Sequence, residues 1–232
     1  MALNRNWPNT ASIIVIVFGL YVFLGCSDAN TNRGNRALIQ VEDVIITVSD
    51  FTQTFEILNA DSGLEDEEDK GALTEAKLSL LNQMTEEALL MVRARELGIT
   101  VSDEELDAAV AAIKADYPEG EFEQALLEYA VPYRFWLKRM RLRLLMDKVI
   151  ARELGEQVTI TPEDIAAYYQ SHYAGQDDQD LPDEENGDLE ASIVQQLRRE
   201  KTEMAYGPWI QGLKERYQVD VNKQEWKHLI DS

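Results

Sequence analysis

Hydrophobic and polar positions change period several times along this chain. In "ALIQVEDVIITVSDF" two short apolar runs, Ala37–Val41 and Val44–Val48, flank the acidic pair Glu42-Asp43. Short β-branched runs parted by a two-residue turn predict paired strands. Ser49 and Asp50 then predict a helix start ahead of Phe51, Phe55 and Leu58. Beyond the acidic loop Asp61–Gly71, residues 72–97 keep a helical period, and Gly98 stands where a left-handed residue would end it. Leu73, Leu80, Leu81, Met84, Ala88, Met91 and Val92 cover so much of the girth of this helix that it should run through the centre of a bundle.

The pattern downstream stays helical. Ser102, with Glu105 three residues later, forms a capping-box signature, and Leu106, Val110 and Ile113 continue the stripe. A short helix is expected around Phe122–Tyr129, and Pro132 suits the first position of the next helix. That helix, about Pro132–Leu154, carries Phe135, Trp136, Met140, Leu144, Leu145, Val149 and Ile150 and should stop at Gly155. "TPED" from Thr161 begins another helix that ends near Tyr173, and a last long one covers about Leu189–Tyr217. "YQVDV" (Tyr217–Val221) alternates like a strand. Isolated short strands are not stable alone. The simplest arrangement therefore pairs the strands from the two ends of a mainly α domain, within one chain or between the two copies of a homodimer.

The N-terminal 26 residues follow different rules. Met1–Ser12 hold one basic residue, Arg5, and no acid; an apolar run from Ile13 to Leu24 ends at Gly25-Cys26. This is the layout of an export signal, and the run is shorter than the roughly 20 residues that span a bilayer. "VFLGC" (Val22–Cys26) resembles a bacterial lipobox, which implies lipidation of Cys26. Ser27, rather than an aspartate, after the cysteine points to an outer-membrane destination. Cys26 is the single cysteine, so no disulfide forms within the chain, and stability must come from a packed core.

Charge narrows the function classes. The chain has 22 basic and 43 acidic residues, a net charge of −21, which argues against binding nucleic acid through phosphate contacts. The basic run "YRFWLKRMRLRLLMDK" (Tyr133–Lys148) interleaves aromatics with cations, yet its apolar residues recur at helical spacing. It reads as a basic face meeting acidic neighbouring helices. His172 and His228 lack metal-ligand spacing, no G-x-S-x-G elbow or phosphate loop occurs, and no frame in the acidic stretches matches a calcium loop. No catalytic residue, cofactor or metal site is expected.

The order of the elements carries a resemblance. "ITVSDF" (Ile46–Phe51) after the strand pair is similar to the opening of the SurA/PrsA/PpiD family of periplasmic and extracytoplasmic folding factors. "LLNQMTEEALLMVRARELGITVSDEE" (Leu80–Glu105) resembles the central stretch of that family, with Ala94, Gly98, Ile99, Val101, Ser102, Asp103 and Glu105 at matching places. "VTITPEDIAAYYQSHY" (Val158–Tyr173) and "SIVQQLRREKTEMAYGPWIQGLKERYQVDVN" (Ser192–Asn222) resemble the helices that enter and leave its parvulin-type prolyl isomerase domain. Between them this chain has only an acidic connector, residues 174–190, with eight acidic residues and no basic one.

The export-signal pattern and lipobox imply a signal peptide (1–25) and a lipidated tether (26–36), and the family resemblance implies a SurA-like chaperone domain (37–222), which leaves a C-terminal tail (223–232). Together they imply a periplasmic, lipid-anchored holdase for unfolded secreted or outer-membrane proteins, without an isomerase domain. A dedicated interaction subunit of an export or envelope-assembly system and a residual prolyl isomerase are the alternatives. Tyr133, Trp136, Tyr169 and Trp209 are the candidate client-contact residues.

Overall fold

The computed structural model describes residues 35–60, 70–173 and 188–231. Strands β1 (Ala37–Val41) and β2 (Val44–Thr47) form the expected hairpin, with Val41 opposite Val44 and Ile39 opposite Ile46. Glu42 takes a left-handed conformation, φ 50°, in its turn. Such a backbone disfavours a side chain with a Cβ, but Glu42 is held from both directions. Its N–H donates to the Gln218 carbonyl at 3.2 Å, and its carboxylate accepts from the Gln218 N–H at 2.9 Å. Gln218 leads into β3 (Val219–Val221), which pairs antiparallel with the other edge of β1. The sheet order is β2-β1-β3, so the two ends of the domain meet within one chain, as the alternation predicts.

Eight α-helices complete the described fold. Helix α1 (Val48–Leu58) starts one residue earlier than Ser49, because Thr47 is the N-cap. The Asp50 N–H donates to Thr47 Oγ1 at 3.1 Å, and the Thr47 N–H donates back to Asp50 Oδ2 at 3.1 Å. Helix α2 (Lys70–Leu97) ends in a Schellman motif at Gly98, φ 68°. There the Ile99 N–H reaches the Ala94 carbonyl at 2.8 Å and the Gly98 N–H reaches Arg95 at 3.1 Å. Helix α3 (Asp103–Ala115) has the Ser102–Glu105 capping box, and α4 (Glu121–Glu128) is short. Helix α5 (Tyr133–Ile150) begins with Pro132 as N-cap rather than as its first helical residue. It runs into a π-helical turn, Ala151–Gly155, before the chain leaves it.

Helices α6 (Pro162–Tyr173) and α7 (Asp188–Arg216) form an antiparallel pair, and α8 (Lys223–Asp231) follows β3. The segment set apart as a C-terminal tail is thus a docked helix. The Asn222 side chain accepts from the Gln224 and Glu225 N–H groups, and Trp226 meets Phe51 edge-on at 5.9 Å. Trp226 and Leu229 are three apart, so both face the core, and Lys77 Nζ donates to the Leu229 carbonyl at 2.5 Å.

The core lies between the sheet and α2. Leu38, Ile39, Val41, Phe51, Ala88 and Leu89 are each at most 1% exposed, and Val149, Ile210, Leu213 and Tyr217 close it from α5 and the end of α7. Helix α2 is buried over much of its circumference, as its all-round apolar pattern requires. A smaller cluster joins α3 to α5 through Leu106, Val110 and Met140.

Candidate functional site

A groove of about 520 Å³ opens between the hairpin and α1 on one side and α5 on the other, with α2 as its floor. Met84 and Met91, two turns apart on α2, form the floor, and Phe135 and Leu142 at the same spacing on α5 face them. Val44, Ile45 and Ile46 form the opposite wall. Ile45 is 54% exposed, a large apolar side chain left on the lip of the groove.

Charges in the groove are largely paired. Glu87, between Met84 and Met91, is 4% exposed and takes both guanidinium N–H groups of Arg139 at 2.7 Å. Gln83 donates to the same carboxylate at 3.0 Å. A buried carboxylate is tolerable only when paired and hydrogen-bonded, and this fork–fork contact fixes α5 against α2. On the rim, Lys138 Nζ lies 3.1 Å from Asp50 Oδ1. Burial alone would raise the pKa of Asp50, but bonds from the Thr47 hydroxyl and N–H and from Lys138 outweigh it and hold the carboxyl below its usual value. Arg141 is tied to the Val101 carbonyl and to Asp103, and Lys148 to Glu105. The basic face of α5 meets acidic neighbours, as the sequence suggests.

The four candidate contact residues fall at three places, and none lines this groove. Tyr133 and Trp136 come together with ring centroids 5.9 Å apart, and Phe122 meets Trp136 edge-on at 5.0 Å. They stand over the α3–α5 cluster, on the side of α5 turned away from Phe135 and Leu142. Trp209 packs partly buried on the main core, 5.9 Å from the Tyr206 ring. Tyr169 lines a cavity of about 600 Å³ between α6 and α7, beside Ile165 and Ile193. Cys26 and residues 174–187 of the acidic connector lie outside the described residues.

Large rings serve core packing as readily as recognition. The pattern that does mark the groove is a second apolar stripe on α5, Phe135 and Leu142, matched by Met84 and Met91 on α2. His172 stacks on Tyr168 at 3.9 Å, its Nδ1 lies 2.8 Å from the Ser171 hydroxyl, and both groups reach the Tyr168 carbonyl.

Residues 2–142 match the SurA-like N-terminal domain family. The Chaperone SurA of Alkalilimnicola ehrlichii is 28% identical over 88 residues, 37% of this chain and 20% of that protein. The match therefore spans about a fifth of the length of that curated relative. The α6–α7 pair, β3 and α8 lie beyond the matched residues, yet β3 completes the sheet and α8 seals the core.

Proposed function

The chain belongs to the SurA-like N-terminal domain family, and from that premise we infer that it is a periplasmic chaperone that holds unfolded polypeptide in the groove between the hairpin and α5. The groove carries this reading. It is apolar on floor and walls, open to solvent along an exposed isoleucine, and most of its charges are neutralised by the protein itself. An extended apolar segment gains about 25 cal/mol per Å² on entering such a groove. The ordering entropy of the client offsets much of that gain and keeps affinity modest. Methionine, which adapts its shape to different partners, suits a floor that must accept many sequences.

In this reading Cys26 carries lipid that keeps the chaperone at the outer membrane. A single chain would hold it only marginally, so stable anchoring calls for more than one acyl chain. The short acidic connector stands where relatives of this type would carry an isomerase domain, so holding requires no covalent chemistry. Cys26→Ser should move the protein from the membrane fraction to the soluble periplasm.

The holding activity is tested by light scattering of a denatured outer-membrane protein diluted into increasing amounts of the full chain. Suppression of aggregation near stoichiometric ratios, for more than one client, is the expected result. No suppression with any client would reject the general chaperone and favour a dedicated partner in envelope assembly.

A further inference from the structure

Charge in the groove runs opposite to charge in the chain. The whole sequence has about two acidic residues for each basic one, 43 against 22. The groove lining has four cations, Arg134, Lys138, Arg139 and Arg141, against two carboxylates, Asp50 and Glu87. The cations are not equally available. Arg139 is committed to Glu87 through two bonds, and Arg141 is held by Val101 and Asp103. Lys138 has one contact, to Asp50 at 3.1 Å, with its own side chain 73% exposed. Among the described residues, Arg134 has no hydrogen-bonding or ion-pairing partner and is solvent-exposed.

Arg134 and Lys138 are one turn apart, so both lie at the N-terminal end of the α5 wall, flanking Phe135. The wall from Arg134 to Leu145 is about 16 Å long at 1.5 Å per residue. An extended peptide of about five residues covers that length. One end of the groove is thus cationic and the rest apolar.

Resting on the groove being the client site, we propose that it selects extended client segments in which a run of apolar residues is flanked by an acidic side chain, with that carboxylate bound between Arg134 and Lys138. The apolar run lies over Met84, Met91, Phe135 and Leu142. In a compartment full of unfolded chains, this would bias capture toward apolar segments with an acidic neighbour and away from those flanked by lysine or arginine.

Fluorescence anisotropy with the full chain tests this. The probes are three acetylated, amidated hexapeptides that share four apolar positions and carry glutamate, glutamine or lysine beside them. Amidation removes the terminal carboxylate as a competing anion. A partly exposed ion pair is worth up to about fivefold in affinity. The glutamate peptide should therefore bind about fivefold more tightly than the glutamine peptide, with lysine weakest. In Arg134→Gln the glutamate-to-glutamine ratio should fall toward one, as it should in 1 M salt, where charges are screened beyond about 3 Å. Circular dichroism checks that this exposed substitution leaves the fold intact.

Equal binding of the glutamate and glutamine peptides would overturn the charge selection while leaving the groove as a client site. Binding of none of the three would reject the groove itself. A dimer that Arg134→Gln disperses and the peptides do not would assign the groove to a second copy and also overturn the proposal.

Discussion

The region under the sheet and the outer part of the α6–α7 pair are both helical and both amphipathic, but they are held differently. Under the sheet, side chains from three strands and five helices converge, and several are completely shielded from water. In the outer pair none of the described α6 side chains is buried, and the first half of α7 buries only Ile193 and Leu197. An ion pair, Lys201 Nζ to Asp164 Oδ2 at 2.6 Å, braces the two helices. Gly207-Pro208 lies inside α7 between its outer half and the residues Ile210 and Leu213 that enter the core. Proline has no N–H to give the preceding turn, so the junction is the least supported part of that helix. One continuous helix therefore joins a densely buried region to a sparsely buried one, and the second is expected to open at lower cost.

The largest separation of the two regions should come from truncating apolar side chains. Leu89→Ala, in the dry core, should cost about 2–5 kcal/mol of global stability by urea denaturation. Leu197→Ala should cost less and act locally, with faster amide exchange in α6 and the start of α7 and little change around residues 80–92. Equal global losses from both substitutions would erase the distinction.

Next in size is the charge pair between groove and core. Glu87→Gln leaves Arg139 facing an apolar floor and should cost about 2 kcal/mol, below the usual range for a buried pair because Arg139 is 28% exposed. The double variant Glu87→Leu with Arg139→Met should recover most of that loss in the same denaturation experiment.

Ser102→Ala removes one half of a capping box at the start of α3 and should cost about 1 kcal/mol. Gly207→Ala should act in the other direction. No atom lies within 4 Å of an added Cβ there, and alanine favours the helix by about 0.5–1 kcal/mol. Its sharper effect should be slower exchange in the outer half of α7, which couples that half to the core.

The last effect is confined to alkaline pH. Tyr206, just before the junction, donates to Glu86 of α2 at 3.3 Å. Burial, and then the negative charge of Glu86, push its hydroxyl up to about 12 from an ordinary 10.0. Below pH 10 the hydroxyl is protonated in both folded and unfolded chains. Between 10 and about 12 the folded chain holds the proton more tightly, so its stability falls as pH rises through that window. Tyr206→Phe should flatten this slope in thermal melts taken from pH 9 to 12.

Much of the fold was legible in the chain because its boundaries are written in local chemistry. Ser102 with Glu105, Gly98 after Leu97, and the acidic pair between two β-branched runs each satisfy backbone groups within a few residues. Even the meeting of the two ends of the domain followed from a local fact, that short strands need partners. The C-terminal helix was missed because Trp226 and Leu229 are too few to show a period, and their burial depends on Phe51, far away in sequence. The groove was missed for a related reason. Glu87 and Arg139 are 52 residues apart, and nothing near either shows that they will meet. Met84, Met91, Phe135 and Leu142 look like ordinary core positions until two helices and a hairpin are set at the distance that leaves a gap between them. Sequence alone determined where each element begins, ends and hides its apolar face. The tertiary structure decided which of those faces close on each other and which stay open, because an open face is a property of the space between elements.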